Sequence, residues 1–443
     1  MNNIFDARQY VLNELGDKVN DPRVREELSL MTDKNFMEVY YSKKISDFLK
    51  SNNEYYIVRG FYGNLYINFF LDITDSIEPY DLPYEFVFDK KEQSFIYDFN
   101  VSTSFESKLI DYLNEISNGV MVRTTTSCLI PYTNQTISLD DYENRNHEKL
   151  IEIGIMGMEG LSILNKNIKK YGLPNYDITQ NNEISYEIFN KRNIEGITGI
   201  NTNMLSRLLE RCDESTKSFD TYVYLTAGMH GTNVISQIYN SPITEDTIKK
   251  YPTTREGLYA LLIESKIDKQ TALQICEYTR KGRKYRANNK AKWEELTSNI
   301  TVSLRRYLDN IDGLFPLAHC ISFAKLNYLE IFYKLMNEPS NESKTVNDYF
   351  KEELGHNIKK RDEYLTEYQE IWDNVRKLIK KEINRYAYDE CFEDTAVIAY
   401  ENGIVSVKVP NTIVKFKLNQ CYYKLIKQSQ KEVTGKPIMF KFV

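Results

Sequence analysis

The sequence predicts a multidomain protein of mixed α/β fold, with an α/β region first, an all-helical region next and a small α/β domain last. The chain has 443 residues, more than one hydrophobic core normally serves. A stretch rich in Tyr, Ile, Phe and Val at 55–100 precedes a long region with helical apolar spacing at 160–335. The final segment returns to strand patterns joined at an Asn-Gly pair, the strongest short signal for a β-hairpin.

The elements of the first region follow in a definite order. Residues 1–50 are predicted to be helical, because apolar residues recur at helical spacing in EELSLMTDKNFMEVYYSKKISDFL. Residues 55–100 are predicted to form strands. A short helix is expected at about 105–117, followed by mixed structure.

A polar and then highly charged stretch separates the helical region from the last domain. This composition predicts a linker at 338–364. After it, two helices, the strands TAVIAY and IVSVKVP, one long helix and the strand PIMFKFV predict an α-α-β-β-α-β domain at 365–443. Trp372 begins the apolar stripe of the first of these helices and is therefore expected in the core.

Composition and charge exclude several classes of protein. Hydrophobic residues make up 42% and charged residues 27%, as in ordinary globular proteins. The formal net charge is −6, so any contact with nucleic acid has to be a local feature. The six cysteines form no CxxC pair, which argues against a zinc knuckle, and no cofactor is expected. The chain starts without a signal peptide and has no membrane-spanning run, so a cytoplasmic location is expected.

A series of short motifs occurs in order along residues 1–337. They are VRGFYGNLYINFFLDIT, FIYDFNVS, GVMVRTTT, IEIGIMG, TGINTNMLSRLL, AGMHGTNV, YTRKGR and GLFPLAHCISF. Their order resembles that of PolC, a C-family bacterial DNA polymerase, which reads SRGSVGSS at the first motif, DIDLNFS at the second and KLDILG at the fourth. The resemblance implies a polymerase palm at 1–160 and helical fingers at 161–337.

The same resemblance shows where this chain departs from a working polymerase. Polymerase chemistry needs carboxylates that hold two Mg²⁺ ions about 3.5–4 Å apart. The family supplies three aspartates, whereas this chain has Ile96 at the first position, Asp98 at the second and Gly154 at the third. Glu152 and Glu159 lie nearby, but they would have to rebuild the near-octahedral geometry that Mg²⁺ demands. We therefore predict no catalytic residue and no metal site, and interpret the chain as a pseudo-polymerase.

The triphosphate site of the family is altered in the same direction. Arg59, Gly60 and Gly63 remain from SRGSVGSS, but larger residues replace its serines, and these are expected to fill the phosphate cradle. Arg123 remains from the tract that the family reads as RTTG. We interpret these four residues as a vestigial phosphate site. The family's thumb and its zinc-binding cysteines are missing as well.

The C-terminal domain carries a second resemblance. EIWDNVRKLIKKEI, YAYDECFEDTAVIAYENGIVSVKVP and EVTGKPIMFKFV resemble the N-terminal domain of the replication initiator DnaA. In that family the domain is a KH-like docking unit that recruits the replicative helicase and helps initiators self-associate. Cys391 stands where the family has Trp, so a changed partner specificity is expected. Tyr388 and Phe392 belong either to the core or to the docking face, and with Cys391 they form the predicted docking patch.

One dense basic run occurs in the helical region, and it is the predicted nucleic-acid contact. Its members are Arg280, Lys281, Arg283, Lys284 and Arg286. Contact with phosphates and a solvated helix end are equally good interpretations, because the chain as a whole is acidic. Tyr285 lies within the run and Trp293 lies seven residues after it, and each either stacks on bases or packs in the core. His230 and His319 lie within polymerase-like motifs and are expected to be structural.

Together these features predict a non-enzymatic replication factor, carried by a phage or other mobile element. The expected partners are host replication proteins (helicase, initiator or polymerase accessory factors) and possibly DNA, but no membrane. Two alternatives stay open. The chain is either a minimal C-family polymerase or nucleotidyltransferase that is still active, or an inhibitor of the host DnaA or polymerase.

Overall fold

The computed structural model divides the chain into two compact units, 1–343 and 344–443. It describes residues 4–60, 62–74, 95–132, 137–146, 148–174, 177–200, 202–230, 233–239, 241–337, 366–401, 404–410, 412–435 and 438–443. The predicted linker at 338–364 therefore lies outside the described residues, and so do 75–94 of the predicted strand region. The fold is mixed α/β, as the sequence predicts.

Three helices open the first unit. They are α1 (Ile4–Leu15), α2 (Pro22–Leu30) and α3 (Asp33–Ser51). Thr32 begins α3 with a capping box, in which its hydroxyl accepts from the backbone N–H of Asn35 and the Asn35 side chain accepts in return. Phe36, Tyr41 and Ile45 of α3 are fully buried against the sheet.

A five-stranded sheet forms the centre of this unit. Its strands are β1 (Ile57–Arg59), β2 (Tyr97–Ser102), β3 (Val122–Arg123), β4 (Ser127–Pro131) and β5 (Leu150–Met158). Their order across the sheet is β1-β2-β5-β4-β3, with β2 and β5 parallel and the other pairs antiparallel. Helix α5 (Glu106–Ile116) follows β2, at the position that the sequence predicts.

The strand prediction for residues 55–100 is wrong in its middle. A 3₁₀ turn occupies Tyr62–Asn64, and a short helix, α4, occupies Tyr66–Phe70. The carboxylate of Glu27 on α2 accepts hydrogen bonds from the backbone N–H groups of Tyr66 and Ile67 at 3.1 and 3.0 Å. A buried acid from another element thus satisfies the first turn of α4, so tertiary contact overrides the local strand propensity.

Helices make up most of the rest of the described first unit, and from residue 159 onward they agree with the prediction that 160–335 is helical. Its helices are α6 (Leu139–Glu143), α7 (Glu159–Tyr171), α8 (Asn182–Tyr186), α9 (Thr202–Leu209), α10 (Phe219–Met229), α11 (Ile235–Ile238), α12 (Glu245–Lys250), α13 (Arg255–Glu264), α14 (Lys269–Arg280), α15 (Gly282–Asn288), α16 (Lys290–Leu296), α17 (Val302–Asn310) and α18 (Leu317–Met336). Helix α18 is buried along most of its length. A separate apolar cluster, which includes Leu258, Ile275, Trp293 and Leu308, forms the core of α13–α17.

The second unit has a three-stranded sheet in the order β6-β7-β8. Residues 366–382 form helix α19, and they are followed by α20 (Arg385–Cys391), β6 (Ala396–Glu401), β7 (Ile404–Lys408), α21 (Thr412–Gln420), α22 (Tyr423–Thr434) and β8 (Met439–Phe442). The single long helix that the sequence predicts is two helices, which separate at Cys421 and Tyr422. Within the described ranges of both units, no helix is both long and apolar enough to cross a membrane.

Candidate functional site

One face of the five-stranded sheet carries a row of four residues from four neighbouring strands. In the register of neighbouring strands, Arg59 lies opposite Asp98, Asp98 lies opposite Gly154, and Gly154 lies opposite Ser127. We call this row the sheet-face row. Because side chains alternate along a strand, Tyr97 and Phe99 lie on the opposite face and contribute to the core. Strand register therefore places Asp98 and Gly154, which the sequence resemblance assigns to catalytic positions, directly side by side.

Asp98 lies in a partly buried position beside a cation. Burial raises the pKa of its carboxyl above the usual value, the nearby Glu152 carboxylate raises it as well, and the guanidinium of Arg59 opposes both. The Arg59 Nη2 atom is 4.0 Å from Asp98 Oδ2, at the limit of an ion pair, and the Asp98 side chain is 39% exposed. This contact is therefore a loose pair, and the Arg59 Nε atom is buried without a hydrogen bond.

Gly154 leaves no space for a second carboxylate at its position. A Cβ atom there would lie 1.9 Å from Asp98 Oδ1, so any side chain would displace Asp98. Ile96 lies just before β2, and its backbone is hydrogen bonded with the hydroxyl of Tyr62. The side chain of Asp98 thus occupies the volume into which a residue at 154 would project.

Glu152, two residues before Gly154, is the second carboxylate near Asp98. It is 4% exposed, accepts a hydrogen bond from Ser127 Oγ at 2.7 Å and pairs with Arg145 Nη1 at 2.6 Å. Glu159 is exposed at the start of α7. Across the described part of the chain, no group of three or more His, Cys, Asp or Glu side chains could hold a metal ion. Arg145 lies outside all of the motifs, so sequence reasoning did not single it out, and only the fold shows that it pairs with Glu152.

The glycines and Arg123 of the predicted phosphate site have local structural roles. Gly60 has φ +97°, a backbone conformation that side chains disfavour, and a Cβ on Gly63 would lie 2.9 Å from Ala318 Cβ on α18. Arg123 Nη2 pairs with Glu106 Oε1 at 2.8 Å and donates to the carbonyl of Ile155 at 3.0 Å. These contacts tie β3, α5 and β5 together and give the Nη2 atom of Arg123 a structural role.

An aromatic cluster around two histidines lies near Arg59. The ring centroids of His230 and His319 are 5.4 Å apart, and both rings contact Phe315 and Phe323. Burial lowers the pKa of His319 to about 3, with smaller contributions from His230 and Arg59, and burial also lowers the pKa of His230. Both imidazoles are therefore neutral at physiological pH and pack as structural groups, although the Nε2 atom of His230 is buried without a hydrogen bond.

The predicted basic contact is largely engaged within the protein. Arg280 and Lys281 pair with Glu277 at 2.6 and 3.4 Å, and Arg283 pairs with Asp312. Arg286 is 4% exposed and donates to the carbonyls of Thr279 and Ile311. Lys284 is exposed.

The two aromatic residues near the basic run contact other parts of the protein, and Trp293 is buried. Trp293 is 3% exposed and donates its indole N–H to Asp309 at 2.8 Å, and Tyr285 contacts Tyr278 edge to face. Of the two interpretations of Trp293, core packing is therefore the one that the structure shows.

The predicted docking patch of the second unit lies in its core, which corrects the sequence interpretation. Phe392 is 0% exposed, Cys391 1% and Tyr388 5%, and all three belong to the apolar cluster around Trp372. Trp372 is fully buried, as predicted, and donates its indole N–H to Thr395 Oγ1 at 3.0 Å. Strand β7 and helices α21 and α22 contribute to the same cluster, so the face of α20 that carries these residues is covered.

Two other apolar side chains of the second unit are available to a partner. Ile398 on β6 is 41% exposed, and Tyr423 at the start of α22 is 53% exposed. The sequence did not single out either residue, because their exposure depends on which strands and helices cover the sheet.

Comparison with known protein families finds a match within the second unit. Residues 369–432 match the DnaA N-terminal domain family. Their order of two helices, a hairpin and further helices fits the predicted KH-like module. No curated protein matches the chain.

Proposed function

We propose that the protein is a non-enzymatic replication factor whose C-terminal module docks proteins of replication initiation. The observation that carries the proposal is the match of residues 369–432 to the DnaA N-terminal domain, together with the closed core of that module. In DnaA this domain contacts the replicative helicase and other initiators. Ile398 and Tyr423 are the exposed apolar side chains through which this module would make such a contact.

We further propose that the first unit is a degenerate polymerase palm with its fingers region. The parallel register of β2 and β5 supports this, because it brings Asp98 and Gly154 to adjacent positions on one sheet face. Arg59 pairs loosely with the remaining aspartate, close packing against Ala318 explains Gly63, and the ion pair with Glu106 explains Arg123. In this proposal the unit serves as a binding platform for replisome proteins or DNA, and the unusual combination of units favours a phage or mobile-element origin.

Capture on the immobilised full-length chain tests the docking function. Purified replicative helicase and DnaA from a low-GC bacterium are passed over the wild-type chain and over Ile398→Asp and Asp98→Asn variants. We expect capture of at least one of the two proteins, a loss of about tenfold in affinity with Ile398→Asp, and no change with Asp98→Asn. Failure of the wild-type chain to retain either protein would contradict the proposal.

Primer extension tests the absence of polymerase activity. The wild-type chain and the Asp98→Asn variant are supplied with a primed template, the four deoxynucleoside triphosphates and Mg²⁺ or Mn²⁺. We expect no extension from either protein. Extension by the wild-type chain that the substitution abolishes would show instead that Asp98 and its neighbours still hold catalytic metal ions.

A further inference from the structure

A cavity of about 560 Å³ opens in the helical region of the first unit, between the C-terminal end of α10 and helix α11. Its apolar lining comes from Met204, Met229, Ile235 and Tyr239. The volume lies within the range of sites that take a small ligand or an anchoring side chain. Methionine side chains adapt to occupants of different shape, so this lining suits an apolar group of variable outline.

The polar residues of the lining are engaged with other parts of the protein. The Asn233 side-chain amide donates to the carbonyl of Asn310 at 3.3 Å, and the Ser236 hydroxyl donates to the carbonyl of Asn233 at 2.8 Å. Asp312 pairs with Arg283. The cavity therefore offers van der Waals contact more than hydrogen bonds, which favours an aliphatic or aromatic side chain over a nucleobase with its polar edges.

Two arginines converge on the Tyr239 wall of the cavity. Arg207 Nη1 donates to the Tyr239 hydroxyl at 2.9 Å, and the Arg211 guanidinium lies 5.4 Å from the ring centroid and donates to the Tyr239 carbonyl. Arg207 is exposed, and a guanidinium has five N–H donors, so the single hydrogen bond to Tyr239 leaves donors that can face an incoming carboxylate. The chain as a whole has a net charge of −6, which makes this cationic edge a local feature.

We propose that this cavity docks a segment of a partner protein in which apolar side chains alternate with carboxylates. An apolar side chain enters between Met229 and Tyr239, and a neighbouring carboxylate pairs with Arg207. Charge complementarity at the edge and the apolar lining both favour such an acidic peptide over nucleic acid, whose phosphates would approach Asp312 as well. This site lies on the first unit and does not depend on the docking function of the C-terminal module.

Fluorescence anisotropy with a labelled peptide tests the proposal. The probe is a fluorescein-labelled hexapeptide of alternating Asp and Leu, and the comparison peptides carry Lys in place of Asp or Ser in place of Leu. The full-length variants are Ser236→Phe, which fills the cavity from an exposed position, and Arg207→Glu, which reverses the charge at its edge. Arg306→Glu on α17 is the matched control, because Arg306 is an exposed arginine that does not line the cavity.

We expect saturable binding of the Asp/Leu peptide, weakened about tenfold or more by Ser236→Phe and by Arg207→Glu and unchanged by Arg306→Glu. Either an absence of saturable binding up to about 1 mM peptide or equal binding of the Lys/Leu peptide would overturn the proposal. Binding of a labelled oligothymidylate that Ser236→Phe abolishes would overturn it in favour of nucleic acid. Helicase and DnaA capture by the Ser236→Phe variant is measured in parallel, so that failure of this site is distinguished from failure of the C-terminal module.

Discussion

The sheet-face row and the core of the C-terminal module differ in where they place the residues that the sequence analysis singled out. In the row, Arg59, Asp98 and Gly154 lie side by side on one face of the sheet, where the order of sequence motifs implies that they meet. In the module, Phe392 and Tyr388 are predicted to contact a partner but lie inside the apolar cluster instead. Strand register determines directly which residues of neighbouring strands lie side by side, whereas the burial of a helix face depends on what packs against it.

The two regions also differ in what holds them together. The sheet-face row depends on polar contacts and on the absence of a side chain at Gly154, while the module depends on large aromatic residues that fill its interior. Substitutions in the module are therefore expected to have larger effects on stability than substitutions in the row.

Removal of the Phe392 ring should give the largest effect. Phe392→Ala deletes a fully buried side chain that contacts Tyr388 and Tyr422, and we expect a loss of about 3–5 kcal/mol in the free energy of unfolding of the module. Hydrogen exchange measured by mass spectrometry on the full chain should show lost protection in 366–443 and unchanged protection in the first unit. Tyr423→Ala, at an exposed position, is the control, with an expected change within about 0.5 kcal/mol. Unaltered exchange in Phe392→Ala would mean that the aromatic core does not determine the stability of the module.

The buried histidines near Arg59 should make the first unit sensitive to acid. Because the pKa of His319 is lowered to about 3, the unfolded chain binds more protons than the folded chain between about pH 6.5 and 3. Stability therefore falls as the pH decreases through this window, by up to about 1.4 kcal/mol per pH unit for one histidine. Urea unfolding followed by circular dichroism should show a shallower pH dependence in His319→Phe than in the wild-type chain. Parallel pH profiles for the two proteins would exclude this role for His319.

Addition of a side chain at Gly154 should have an intermediate effect. Gly154→Ala places a methyl group against Asp98 Oδ1, and we expect a loss of about 1–3 kcal/mol in the free energy of unfolding. In an Asp98→Ala background the obstructing carboxylate is absent, so the same substitution should cost less, with a coupling energy of about 0.5–3 kcal/mol. Additive effects in this double-mutant cycle would show that the side chain of Asp98 does not occupy the volume beside Gly154.

The smallest effect is expected for the Arg59–Asp98 pair itself. The two side chains are 4.0 Å apart and partly exposed, so Asp98→Asn should change the free energy of unfolding by less than about 1 kcal/mol. Glu152→Gln is the matched comparison on the same face, and it should cost more because Glu152 is buried between Ser127 and Arg145. Equal losses in the two variants, measured by urea unfolding, would contradict the difference between a loose and a buried pair.

Much of the fold could be predicted from local pattern, and the exceptions have identifiable causes. Helical spacing predicted α3 and the helices between 160 and 335, and the Asn-Gly pair correctly predicted the β6–β7 hairpin. The sequence could not reveal α4, because Glu27 caps it from a distant helix. Similarly, the sequence could not reveal that Arg286 donates to the carbonyls of Thr279 and Ile311, near the C-terminal ends of α14 and α17. Such contacts join residues far apart in the chain and leave no local periodicity.

The sequence by itself determined the class of the fold, the β6–β7 hairpin and the similarity of the last domain to the N-terminal domain of DnaA. These properties follow from side-chain periodicity, turn residues and motif order, all of which are local. The tertiary structure alone decided that Arg145 pairs with Glu152 and that Phe392 is buried. It also decided that Met229 and Tyr239 line one cavity and that Arg207 donates to the hydroxyl of Tyr239. Burial and charge pairing depend on which surfaces come together, and only the packed chain brings those surfaces into contact.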